Sequence, residues 1–334
     1  MGQYSIGDLA QSSLLRLQST RMRTDLLRLS QELSTGMVSD VALHLNGDLG
    51  YYADVEKNLV LLNGYDLAAT EAGLFADATQ SVLGRVATWL ESSIQATLPA
   101  SATAFQEARD QASVQALNDL EAIVAALNGT SGGRSLFAGT ATDAVPMIAA
   151  NTFIDTVKAA LPAITDPASL ASAVSDWFDD PTGFDATAYQ GGVTDLAPAV
   201  VGENVSVGMG VRADADELKE VMEALTLAAL ATDTDYGFDP ARQTEVFAAA
   251  STQMLAAQSS LTGLQANLGA AQERIETSAA HNAAARVSFE TTRLSLIGAD
   301  PFETATRLDD IQLRLESLYA VTARMSSLNL VNFI

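Results

Sequence analysis

Apolar positions recur along most of this chain in alternating steps of three and four, the spacing of helices that pack lengthwise on other helices. Near the C-terminus Leu308, Ile311, Leu315, Leu318 and, after Thr322, Met325 draw one narrow stripe. Asp300 as cap, Pro301 at the first helical position and Glu303 three residues after the cap predict the start of that helix. The apolar character then continues through Leu328, Leu330, Val331, Phe333 and Ile334. Chain ends that fray are ordinarily polar, so an apolar end predicts a partner. At the N-terminus Leu15, Met22, Leu26, Leu29 and Leu33 keep the same spacing, with Ser19 filling the remaining position. Ser5 and Asp8 read as the start of this helix and Thr35-Gly36 as its stop. Both terminal helices come to about 30 residues and about 45 Å at 1.5 Å per residue. Equal length and matching stripes predict that they pair.

Between them the pattern predicts further long helices. One spans roughly 54–98, on Leu61, Tyr65, Ala68, Ala72, Phe75, Thr79, Val82, Val86 and Trp89, with Pro99 as its stop. A third covers about 102–128, on Val114, Leu117, Leu120, Val124 and Leu127. Helix returns after a cap at Asp214, and Asp239-Pro240 opens a run to about Ile297. That run, about 58 residues or roughly 87 Å, belongs to a rod or coiled coil. Residues 129–211 break the period except near 167–178, after Asp166-Pro167. There Val205, Val207, Met209 and Val211 alternate with Ser206, Gly208 and Gly210, which predicts a hairpin with 197–201. The expected fold is mainly α: a long antiparallel helical bundle with paired N- and C-terminal helices and a small inserted α+β domain. The expected divisions are 1–40 with 298–334, 41–134 with 212–297, and 135–211.

Composition narrows the function. The chain of 334 residues has no cysteine and two histidines, His44 and His281, which excludes disulfides, thiol catalysis and Cys/His zinc sites. No apolar run approaches the roughly 20 residues of a membrane helix, and Met1 to Ile6 lack the basic-then-apolar layout of a cleaved signal peptide. A net charge of -23 argues against nucleic acid and anionic membrane as partners. Residues 1–40 hold four basic and four acidic groups and residues 286–334 hold five and six, so positions 41–285 carry nearly all of the excess. Near-neutral ends can crowd together while an acidic body stays soluble. Two helices alone leave apolar surface uncovered, and such surface marks association. The expected subunit contacts are Leu26, Leu29, Leu33, Leu308, Ile311, Leu315, Leu318, Met325, Leu328 and Phe333.

Motifs for chemistry are weak. Gly129-Thr130-Ser131-Gly132-Gly133 fits the nucleophile-elbow formula, which would make Ser131 a hydrolase nucleophile with His44 or His281 as base. The formula needs a strand before and a helix after, and here a helix precedes. A glycine-rich chain reversal explains the same residues. Asp176, Asp179, Asp180 and Asp185 lack the alternate spacing and terminal Glu of a calcium loop. No metal, cofactor or catalytic residue is expected.

Three segments resemble the bacterial flagellin family. Leu29-Ser30-Gln31-Glu32-Leu33-Ser34-Thr35-Gly36 is similar to the end of its first helix, and Gly133-Arg134-Ser135-Leu136-Phe137-Ala138-Gly139-Thr140 to the segment after its third. Residues 315–333, from Leu315-Glu316-Ser317-Leu318-Tyr319 to Asn329-Leu330-Val331-Asn332-Phe333, resemble its C-terminal helix. Within the family, the chain lacks the Ile-Asn-Thr-Asn run near the N-terminus and the Leu-Leu-basic ending typical of filament subunits. It is therefore closer to the hook-associated branch. The resemblance implies a structural axial protein that joins hook to filament through its terminal helices, with the filament subunit as the alternative. It also implies copies of itself, a neighbouring hook-associated protein and flagellin as partners, and a chaperone at the C-terminal region. Export through the flagellar type III apparatus to an extracellular flagellum follows from the same likeness.

Overall fold

The computed structural model describes residues 6–331, with side chains at residue 10 and from 13 to 324. The chain forms ten α-helices and two antiparallel hairpins among the described residues. In order these are α1 (Ile6–Thr35), α2 (Val41–His44), α3 (Gly50–Ala100), α4 (Gln106–Leu127), β1 (Thr130–Ser131), β2 (Arg134–Ser135), α5 (Ala150–Ala160), α6 (Pro167–Asp179), α7 (Phe184–Thr187), β3 (Ala199–Gly202), β4 (Val205–Val207), α8 (Asp216–Leu230), α9 (Pro240–Ile297) and α10 (Pro301–Val331). They divide into two compact units, residues 1–62 with 284–334, and residues 63–283. The fold is mainly α, and the segment expected as an inserted domain lies within the second unit.

Capping chemistry fixes most helix starts where the sequence places them. Asp300 Oδ1 accepts from the backbone N–H of Phe302 and Glu303 at 2.8 and 3.1 Å, opening α10. Asp239 Oδ1 accepts from Arg242 N–H, opening α9, and Asp166 forms a reciprocal capping box with Ser169, opening α6. The start expected at Ser5 lies outside the described residues. Three expectations change. The cap of α8 is Ala215 rather than Asp214, because Asp214 is engaged 2.7 Å from Arg212 Nε. Pro99 does not stop α3 but sits inside its last turn, before Ala100. A further helix, α5, occupies a stretch where the helical period had vanished.

The second unit holds one continuous core, drawn from α3, α4, α8, α9 and the segment between α4 and α8. Helix α8 is buried on nearly all sides and packs on α4, where Ser113 Oγ donates to the terminal carbonyls of Ala228 and Ala229. Arg109 of α4 is fully buried and donates to neutral oxygens of Thr103, Gln106 and Gln243, holding the α3–α4 turn to the start of α9. In the inserted segment, Phe153 of α5, Trp177 and Phe178 of α6 and Phe184 of α7 form an aromatic cluster with centroids 4.9 to 6.4 Å apart. Most of these pairs meet edge to face, the favoured arrangement for aromatic quadrupoles.

Hairpin β3–β4 docks on α9 through a single carbonyl. Val201 O accepts from Ser278 Oγ at 2.9 Å and from Asn282 Nδ2 at 2.7 Å, both buried on the helix. Gly202 permits this approach, since a Cβ there would stand 2.8 Å from Ser278 Oγ. Replacing both donors, Ser278→Ala with Asn282→Ala, leaves a buried carbonyl unpaired. The expected loss is about 1–3 kcal/mol, read as a drop of several degrees in the melting temperature of the second unit by calorimetry.

Candidate assembly surface

Helices α1 and α10 pack on each other as an antiparallel pair. Their shared end is a backbone joint: Gly36 turns left-handed at φ 68° while its N–H continues the helix to Glu32 O. Ala299 N–H then donates to Gly36 O and Val38 N–H to Ile297 O, each at 2.9 Å, with Met37 bridged to Gly298. Gly298 is obligatory here, because a Cβ would fall 2.4 Å from Leu294 O. Glu32, almost wholly buried, accepts from Arg28 and from the N–H of Ser39 and so steadies the chain as it leaves α1. Farther from the joint, Arg23 Nε donates to Tyr319 Oη at 2.9 Å, and its guanidinium lies 5.7 Å from that ring's centroid.

The stripe residues lie along this pair. Leu29 and Leu315 are buried, and Leu26, Leu308, Ile311 and Leu318 are half-buried. Leu33 is exposed. Met325 and Leu328 belong to α10 but their side chains, like the whole of Phe333, lie outside what is described. The seam of one chain therefore uses most of the stripe itself. A second apolar set, absent from the heptad reading, faces away. Leu17 is nine residues from Leu26, and Leu27 and Leu313 are two from Leu29 and Leu315, which at 3.6 residues per turn is about half a rotation. Their exposures are 56%, 69% and 64%. Apolar residues falling off the stripe, on a helix expected to have only one covered face, were the signal available in the sequence.

This exposure is concentrated. Among the described residues, five of the 58 buried apolar side chains lie in the first unit, against 15 of the 24 exposed large ones. The first unit also holds ten basic and thirteen acidic residues, the second eight and 28. A near-neutral apolar surface and a strongly acidic body are thus separated along the chain.

The residues singled out for chemistry occupy structural places. Ser131 ends strand β1 of a tight hairpin whose two turn residues, Gly132 and Gly133, both have positive φ (58° and 79°). That is the primed turn that matches strand twist, and strand follows it rather than helix. His44 and His281 are exposed helix residues. Asn128 is held by Met147 through both side-chain atoms. Asp180 accepts from the N–H and hydroxyl of Thr182, which holds its carboxyl below the usual range. No cluster of His, Cys, Asp or Glu suited to a metal ion occurs among the described residues, and no described helix is long and apolar enough to cross a membrane.

The described residues thus combine a paired-terminus seam with an exposed apolar outer face. Residues 251–334, comprising most of α9 and all of α10, match the bacterial flagellin C-terminal helical region. A solved structure from Vibrio parahaemolyticus, described as a flagellar hook-associated protein, is similar in fold. Its TM-score is 0.50 at 11% identity, over 72% of this chain and 93% of that one. No curated protein matches the chain.

The Arg23–Tyr319 contact has a spectroscopic consequence. The donated hydrogen bond and positive charge of Arg23 favour the phenolate, holding Tyr319 below the ordinary tyrosine value of 10.0. Ultraviolet titration of the wild type against Tyr319→Phe should show one phenol ionising early. In Arg23→Ala that phenol should return to the ordinary range.

Proposed function

We propose that this protein joins hook to filament in the bacterial flagellum, assembling with copies of itself and with neighbouring axial proteins through its terminal helix pair. The observation that carries the proposal is the concentration of exposed apolar side chains in the unit that holds both chain ends. The inner seam holds α1 to α10, and the outer face, with Leu17, Leu27 and Leu313, meets neighbouring subunits. Stripe residues that remain half-exposed, Leu26, Leu308, Ile311 and Leu318, and the exposed Leu33 complete the contact as neighbours close in. The C-terminal run through Met325, Leu328 and Phe333 extends it. A chaperone covering the C-terminal region before export would shield the same surface, and export of an unfolded chain through the type III apparatus fits a protein without disulfides.

The junction reading is supported by the absence of the two terminal runs typical of filament subunits. Fold likeness to a protein described as hook-associated agrees with it. The filament subunit is the second reading, favoured by the family match itself, which is to the flagellin C-terminal region. Immunogold microscopy of intact flagella, with antibody to residues 135–211, separates the two. A narrow band where hook meets filament is expected; label along the whole filament would establish the second reading instead.

Assembly is tested separately. Leu17→Lys with Leu313→Lys should leave helix content by circular dichroism unchanged, because both side chains are already in water. The same pair should prevent incorporation into flagella and abolish swimming. Normal motility of that double variant would remove the outer face from the proposal.

A further inference from the structure

Glu223 of α8 lies half-buried where α6 and α9 pack against it. Gln253 of α9 donates from Nε2 to Glu223 Oε1 at 3.3 Å, and the hydroxyl of Ser175 on α6 also hydrogen-bonds the carboxyl. The charges acting on it are both acidic, Asp179 at the end of α6 and Glu220 one turn back on α8. Gln253 Oε1 is meanwhile buried without any hydrogen-bond partner. A buried amide oxygen left unpaired is costly, and a carboxylate beside it has only acceptors to offer. A protonated carboxyl differs in one respect that matters here. It keeps one oxygen to accept the amide N–H and presents an O–H from the other, so that carboxyl and amide close a cyclic pair of hydrogen bonds.

We propose that Glu223 and Gln253 form a proton-operated latch, in which protonation of the Glu223 carboxyl completes its pair with Gln253 and tightens α6 and α8 against α9. The inserted segment is thereby held more firmly in weak acid than at neutral or alkaline pH. Burial is the leading cause that raises the Glu223 carboxyl above its ordinary 4.5, with Asp179 and Glu220 adding to it and the Ser175 hydrogen bond opposing it. A carboxyl raised in the folded state destabilises the fold above its folded pKa. The penalty is lifted as pH falls through that value toward the unfolded one. Stability from this group therefore grows on acidification and levels off below the ordinary glutamate range.

The test is thermal unfolding of the full chain from pH 7.5 to pH 5, for the wild type, Glu223→Gln and Gln253→Met. Glu223→Gln is neutral at every pH and carries an amide donor toward Gln253 Oε1. It should melt above the wild type at pH 7.5, and the gap should narrow as pH falls to 5. Gln253→Met removes the acceptor and should lose most of the wild type's gain on acidification. Hydrogen exchange across 167–179, corrected for the intrinsic pH dependence of exchange, should show greater protection at pH 5 in the wild type alone. A Glu223→Gln gap that stays constant with pH would overturn the latch, and so would an unaltered acid gain in Gln253→Met. General relief of acidic repulsion moves all three proteins together and leaves these differences unchanged.

Discussion

A pair of helices can bury only one face of each, and that limit governs the terminal unit. Once Leu29 and Leu315 have closed the α1–α10 seam, no third helix of the pair covers the opposite sides. In α8 the contrary holds: its apolar residues run all round the helix, and all but the half-buried Ala229 are buried because α4, α6 and their neighbours surround it. Covering an exposed leucine is worth about 1.5–3 kcal/mol, so several such residues on one near-neutral face are enough to drive association once chains are brought together. The same residues would be a hazard on a free chain unless something covered them.

Electrostatics reinforces this division. Twenty of the 23 net negative charges fall in residues 63–283, and three in the unit with most of the exposed leucines. Repulsion between exposed charges is screened beyond about 8 Å at physiological salt, which leaves the short-range apolar contacts to decide where subunits touch. The half-buried Glu223, with Asp179 on α6 and Glu220 on its own helix beside it, shows the same excess at the scale of one side chain, where burial and like charge act in the same direction.

Helix boundaries with side-chain caps were readable in the sequence because the cap is a local chemical event. Asp239-Pro240, Asp166-Pro167 and Asp300-Pro301 all begin helices within the residues expected. Where the carboxylate had a stronger use elsewhere, as Asp214 has with Arg212, the local reading failed. Helix α5 was missed because its buried positions, Phe153 and Val157, are a single i,i+4 pair, too short a run to reveal a period. Its place is set by the aromatic cluster, whose members come from three helices. The stripe of the terminal helices was legible, but periodicity alone does not say which helix covers it. Leu17, Leu27 and Leu313 carry no period at all, and only the packed pair shows that they face outward.

The register of that pair follows from the joint at Gly36 and Ala299. From the end of α1 to Arg23 is twelve residues, about 18 Å, and from the start of α10 to Tyr319 is eighteen, about 27 Å. The two side chains nevertheless meet at 2.9 Å. Helical side chains lean toward the N-terminus of their own helix. In an antiparallel pair, Arg23 therefore leans away from the joint and Tyr319 toward it, each closing about half of the difference. The joint sets the starting point, the lean of the side chains sets the offset, and the cation over the ring is made only at that offset. A seam of leucines spaced by threes and fours would accept a shift of one heptad; the backbone joint and the Arg23–Tyr319 contact would not. Fixing the register also fixes which outer leucines of α1 stand beside which of α10, so the arrangement of the outer face is decided by two glycines and one charged contact as much as by the apolar residues themselves.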